Sequence, residues 1–201
     1  MIVGYHLILS AYGFWLPNDP RGSWSEYVGA WELLRFGRAT KVSTTRSVAS
    51  RPHDVRRRLA AKDALKYPAV SFNGLQARAI GRGFGECVRR WKLTVWACAI
   101  LPEHAHLVVA RHRYSVEQIA NLLKGAATRS LVAEGLHPLA DYPTRTGRMP
   151  KAWARGQWSV FLETDRDVRR EIRYVEENPL KENKPRQRWS FVTPFEGLHA
   201  R

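Results

Sequence analysis

The chain has 201 residues, with 33 Lys and Arg against 18 Asp and Glu, a formal net charge of +15, and eight Trp. That length suits one domain with a sizeable core, and no apolar run reaches the roughly 18 to 20 residues a membrane-spanning helix needs. Cys87 and Cys98 form no C-x-x-C pair and no secretory signal precedes the first strand, so a disulfide framework is not expected and a soluble, reducing compartment is.

A chain this basic repels itself unless a polyanion neutralises it. Cations interleaved with Trp suit a groove that neutralises phosphates and stacks bases; the bland alternative is an inert basic surface.

Gly4 to Ala11 alternates as a first strand, with Leu7 and Leu9 on one face and His6, Ile8 and Ser10 on the other. Tyr12 to Trp24 is rich in Gly, Pro, Asn and Asp, a turn composition, yet Phe14, Trp15, Leu16 and Trp24 make it an ordered loop. Residues 25–72 read as a basic insertion with an amphipathic hint at Pro52 to Tyr67, where Val55, Leu59, Ala60 and Leu65 form the apolar side. Asn73 to Trp91 carries Leu75, Ala79, Ile80, Phe84, Cys87, Val88 and Trp91 at helical spacing. Gly81, Gly83 and Gly85 each weaken that helix by about 1 kcal/mol relative to Ala, so packing must hold it.

Leu93 to Leu101 is an apolar, β-branched and aromatic strand; Pro102-Glu103 breaks it, and a second strand runs on to Ala110. On that second strand His104, His106 and Val108 share one face, while Ala105, Leu107 and Val109 share the apolar one. Two imidazoles two residues apart suit bidentate capture of a divalent cation, although an isolated His-x-His also serves merely to end a strand. Ser115 and Gln118 form a capping box opening a helix to about Gly135, with Ile119, Leu122, Leu123, Ala126 and Leu131 buried and Lys124 and Arg129 outward. A Pro/Gly-rich loop at 136–151 leads into a strand at Trp158 to Leu162. Thr164 starts a last helix, with Asp165 and Asp167 complementing its dipole.

On this helix Val168, Ile172 and Val175 form the packed stripe. Tyr174 lies off it, alongside Asp167, Glu171 and Asn178, and Asn178 follows Tyr174 by one turn. Pro179 is expected to end the helix, and a basic, aromatic tail follows from about 179 to 201. A strand edge with two imidazoles and a helix edge with a phenol and an amide is what metal-assisted phosphoryl transfer to tyrosine requires. His104, His106 and the Asn178 side-chain oxygen would hold the cation, Mg²⁺ or Mn²⁺. Tyr174 would attack phosphorus, leaving a 5′-phosphotyrosine and a free 3′-hydroxyl. Each has a plainer use: Tyr174 as a surface residue, Asn178 as a helix cap, Glu171 and Asp167 as helix charge balance.

L-P-E-H-A-H-L-V-V, then L-L-K-G-A, W-A-R-G-Q-W-S-V-F-L and I-R-Y-V-E-E-N-P-L-K, resembles the single-tyrosine HUH transposases of small insertion sequences. F-W-L-P-N-D-P-R-G-S-W is similar to the branch of REP-associated tyrosine transposases. The resemblance implies an α+β, ferredoxin-like (RRM-like) antiparallel sheet with helices on one face and the active site on the other, filling the chain as a single domain. It also implies a cytoplasmic, nucleoid-associated enzyme of bacteria that needs a divalent metal. Its substrate would be single-stranded DNA with hairpins or palindromic repeats, cleaved and rejoined by a monomer or homodimer. Ala105 stands where the family favours a bulkier hydrophobe, and the insertion is long for the family.

Phosphate contacts are expected from Lys124, Arg129, Arg155, Lys181 and Arg186, and base stacking from Trp153, Trp158 and Trp189. A domesticated module that grips structured single strands without cutting them is the alternative, and a replication initiator or relaxase of the wider group is a third reading.

Overall fold

The computed structural model describes residues 1–14, 16, 31–37, 54–142 and 144–198. Trp15, Trp24 and residues 25–30 and 38–53 of the insertion lie outside them. Four strands, β1 (Gly4–Ser10), β2 (Val95–Ile100), β3 (His104–Ala110) and β4 (Trp158–Leu162), form one sheet in the order β2-β3-β1-β4. Every neighbouring pair is antiparallel. Helices α1 (Val55–Asp63) and α2 (Gly74–Trp91) precede β2, α3 (Val116–Ala133) joins β3 to β4, and α4 (Asp165–Lys181) follows β4. Two interleaved strand-helix-strand units in this order are the ferredoxin-like arrangement of the α+β class.

The sheet has two different faces because side chains alternate along each strand. Tyr5, Leu7 and Leu9, with Ala105, Leu107, Val109, Cys98 and Ile100, face α2 and α3 and form the main core. Val108, Ala97, Ala99 and Leu162 face the other way, where the stripe of Val168, Ile172 and Val175 lays α4 across one part of the sheet. A bulge at Trp96 shifts the pairing between Val95 and Ala97, which lets Val95 reach the main core and Ala97 the opposite face. Cys87 and Cys98 are buried free thiols. Among the described residues no helix is long and apolar enough to cross a membrane.

Three capping boxes start the long helices: Asn73 with Gln76, Ser115 with Gln118, and Thr164 with Asp167. The glycines of α2 turn out to be contact points. A Cβ at Gly83 would lie 2.6 Å from the Ala126 carbonyl oxygen on α3, so the two helices meet backbone to backbone there. Gly81 gives its place to the Trp189 ring and Gly85 lies under Phe191, which docks the tail on α2. The same tail closes the free edge of β2. The Gln187 side chain donates to and accepts from the Ile100 backbone, both at 2.7 Å, and Thr193 N–H donates to the Val95 carbonyl at 2.8 Å.

Four expectations are corrected. On α1, Val55 and Leu59 face solvent, and Ala61 is the buried residue, packed with Leu16 and Leu33; the helix turns its basic side outward together with those two apolar residues. Leu75, in the first turn of α2, is likewise exposed. Pro179 does not end α4, which runs on to Lys181. A proline lacks one donor and clashes backward, but in the last turn that removes a single bond, and the buried ring of Pro179 contributes packing instead. Trp153 is a core residue, 4.9 Å from the Phe72 ring and 6.4 Å from that of Phe84 between centroids.

Gly83→Ala is expected to destabilise by about 1–3 kcal/mol through overpacking, or roughly 2–4 °C of Tm per kcal/mol for a chain of this size. Gly125→Ala, whose new methyl would meet only the mobile end of Arg129, should hold or raise Tm in the same thermal melt. Trp153→Ala should cost about 3–5 kcal/mol in a denaturant titration. Trp153→Phe should cost less than about 1.5 kcal/mol, because the buried indole N–H makes no hydrogen bond.

Candidate functional site

The register between β1 and β3 builds the site. Ser10 pairs with His104, Ile8 with His106 and His6 with Val108, so His6, His104 and His106 all stand on the face that α4 partly covers. Cross-strand neighbours extend the row: Trp158 on β4 pairs with Ile8, and Ala99 on β2 pairs with His106. Small residues at Ala97 and Ala99 let α4 come close, and its apolar stripe seats there. That seating turns the adjoining helix edge, Glu171, Tyr174 and Asn178, toward the histidines.

The ring centroids of His104 and His106 are 4.7 Å apart and nearly perpendicular. Phe14, from the loop after β1, stacks on His104 at 4.9 Å and 21°. The Tyr174 ring lies 5.7 Å from His106 and 5.7 Å from His6, edge-on to both. It is 40 % exposed, so one side is packed and the other faces solvent. Lys181 sets its ammonium 4.4 Å from the centre of the same ring. Asn178, one turn beyond Tyr174, is 8 % exposed, with its side-chain N–H₂ unbonded.

His6 is 2 % exposed and uses both ring nitrogens: Nδ1 bonds Glu171 Oε2 at 2.8 Å, and Nε2 lies 2.9 Å from His106 Nδ1. Among the described residues no three His, Cys, Asp or Glu side chains converge as a metal-binding group. The hydrogen bonds explain that, since the third imidazole nearby has no nitrogen left to offer. His106, 3 % exposed, retains Nε2. A cation here would draw on His104, His106 and the Asn178 amide, whose half-turn brings its oxygen to the unbonded position. Two imidazoles and one amide oxygen fit a divalent ion that keeps open positions for water or phosphate.

Burial holds the His106 imidazole well below the ordinary histidine range, and the nearby His104, His6 and Lys181 act in the same direction. A neutral ring of this kind can offer a lone pair. Burial raises the Glu171 carboxyl, but hydrogen bonds from His6 and Arg170 and their charges outweigh it and leave the group below the usual value. The Tyr174 phenol is raised, first by burial and then by the negative charge of Glu171. Lys181 over the ring does not reverse that direction, so the phenol is protonated in the resting site.

The residues expected to bind DNA divide. Lys181 borders the site at Tyr174, Trp158 stands half-buried in the His106 row, and Arg155 and Arg186 are exposed. Lys124 does not point outward. Its ammonium bonds the Ala154 carbonyl at 3.0 Å and the Gly156 carbonyl, and burial lowers it to about 8. It holds the 154–156 turn. Trp153 is in the core and Trp189 covers Gly81, so neither ring is presented to a base. Arg129 is exposed on α3, which packs against the opposite face of the sheet from the histidines.

Three participants were not assigned a role from sequence: His6, Glu171 and Phe14. The alternation of β1 did put His6 on the polar side with Ile8 and Ser10, and Glu171 lies on the Tyr174 edge of α4. Only the packing of α4 on the sheet brings the two together across 165 residues.

No family model matches the chain, and no curated protein matches its sequence. Among solved structures, it is similar to a REP-associated tyrosine transposase bound to a REP hairpin, with 18 % sequence identity and a TM-score of 0.41. That likeness covers 54 % of this chain and 58 % of the other, a little over half of the neighbour's length.

Proposed function

We propose that this protein is a divalent-metal-dependent endonuclease and strand transferase that nicks and rejoins single-stranded DNA beside hairpins through a 5′-phosphotyrosine. The observation that carries the reading is the meeting of Tyr174 with His106, 5.7 Å between ring centres, on the sheet face that also holds His104. A phenol and two imidazoles from β3 and α4, with a buried amide one turn along the same helix, have no structural need to lie together. For phosphoryl transfer to tyrosine they are the required parts.

His104, His106 and Asn178 would hold the cation, which, when bound, draws charge from the scissile phosphate. Tyr174 Oη attacks phosphorus; the new P–O bond forms as the bond to the 3′ oxygen breaks, the phenol gives up its proton and the departing 3′ oxygen takes one. The ester so formed retains the energy of the phosphodiester, so a 3′-hydroxyl can reverse the step and join a strand. Lys181 is placed beside the phenol, where its charge favours the phenolate over the raised resting state and offsets the incoming phosphate. Trp158 offers a ring on the same face for a base, and Arg155 and Arg186 offer exposed cations for the backbone.

With a 3′-labelled hairpin oligonucleotide and Mn²⁺ or Mg²⁺, the wild-type protein should give a slow, protease-sensitive band on a denaturing gel. Tyr174→Phe should lose that band while retarding the hairpin on a native gel as wild type does. An adduct that survives Tyr174→Phe overturns the assignment, and retardation without any wild-type adduct leaves only a binding module. Affinity should fall steeply between 50 and 200 mM salt, by roughly 10³-fold or more if six or more phosphates are neutralised. Lys181→Ala should flatten that slope, and Lys124→Met should not.

A further inference from the structure

We infer that His6 and Glu171 are positioning residues that fix which nitrogen of His106 faces the cation and tie that ligand to the helix carrying Tyr174. The inference rests on the cation site proposed above. Three groups stand in line: Glu171 Oε2, His6 Nδ1 at 2.8 Å, then His6 Nε2 and His106 Nδ1 at 2.9 Å. The His6 and His106 rings are buried and the Glu171 side chain is only 15 % exposed, so water does not replace these bonds.

The direction of donation follows from the end of the line. A carboxylate only accepts, so His6 Nδ1 carries the hydrogen that it shares with Glu171. With the His6 ring neutral, its Nε2 is then the acceptor, and His106 Nδ1–H donates to it. His106 Nε2 is left with a bare lone pair, the form a metal ligand needs, and the ring is pinned in rotation by the same bond. The opposite polarity, with His6 donating at both ends, would put a hydrogen on His106 Nε2 and remove the ligand atom.

The line also spans elements: His106 is on β3, His6 on β1 and Glu171 on α4. Glu171 precedes Tyr174 by three residues, on the same edge of the helix. His6, whose Nε2 orients the metal ligand, therefore also ties the tyrosine helix to the sheet through its Nδ1.

The test is Mn²⁺ binding to the full chain by isothermal titration calorimetry, with ¹⁵N NMR of the histidine rings in the metal-free protein. His104→Ala and His106→Ala should abolish strong Mn²⁺ binding; if they do not, the cation site itself is wrong. Given that loss, His6→Phe and Glu171→Ala should weaken Mn²⁺ about 10- to 100-fold. Glu171→Gln, whose amide oxygen still accepts from His6, should stay closer to wild type. The ring spectra should show the hydrogen of His106 on Nδ1. Wild-type Mn²⁺ affinity in both His6→Phe and Glu171→Ala, or a hydrogen on Nε2 of His106, would overturn the inference. Should His6→Phe fail to fold, the Glu171 pair and the ring spectra decide it.

Discussion

The antiparallel register of β1 against β3 is the constraint from which the rest of the molecule follows. Side chains alternate with a period of two, so a slip of one residue would send His6 into the main core and bring Leu7 and Leu9 out against α4. The apolar set Tyr5, Leu7, Leu9, Ala105, Leu107 and Val109 forbids that slip, since all of them are buried under α2 and α3. The histidines are thus held in place by residues that point to the opposite face. Burial on one face fixes chemistry on the other.

The second face is built on a compromise. A sheet face left open would expose Val108, Ala97, Ala99 and Leu162, while a face wholly covered would admit no substrate. α4 covers the apolar part with Val168, Ile172 and Val175 and leaves the histidine end bordered by its polar edge. The helix therefore serves as both lid for the minor core and carrier of the phenol. Its position depends on small side chains beneath it and on the buried bond from Glu171 to His6.

Much of this was legible in the chain, and what was not has definite causes. Periodicity gave the strands, the sharing of a face by His104, His106 and Val108, and the packed stripe of α4, because alternation and helical spacing are local. The capping box at Ser115 and the helix start at Thr164 are readable for the same reason. The amphipathic hint in α1 failed because the helix is basic almost all round and its one buried residue, Ala61, is too small to stand out against exposed Val55 and Leu59. Composition does not say which aromatic faces inward, so it does not separate Trp153 and Trp189 from base-stacking residues; Phe72, Phe84 and Gly81 decide that, and all lie far away in sequence. Lys124 was read as solvent-facing because the carbonyls that capture it come 30 and 32 residues later. The His6 and Glu171 pair is the extreme case, invisible until α4 is laid on the sheet.

The tail along β2 has a further consequence. An outer strand normally presents a row of unpaired backbone groups that any other extended chain could adopt. Here Gln187 imitates a strand partner with a side-chain amide, and the segment around Val192 lies parallel alongside. Recruitment of a foreign strand at that border would first require evicting the protein's own C-terminal segment, together with the indole wedged over Gly81. The chain is in this way guarded against polymerising through that border.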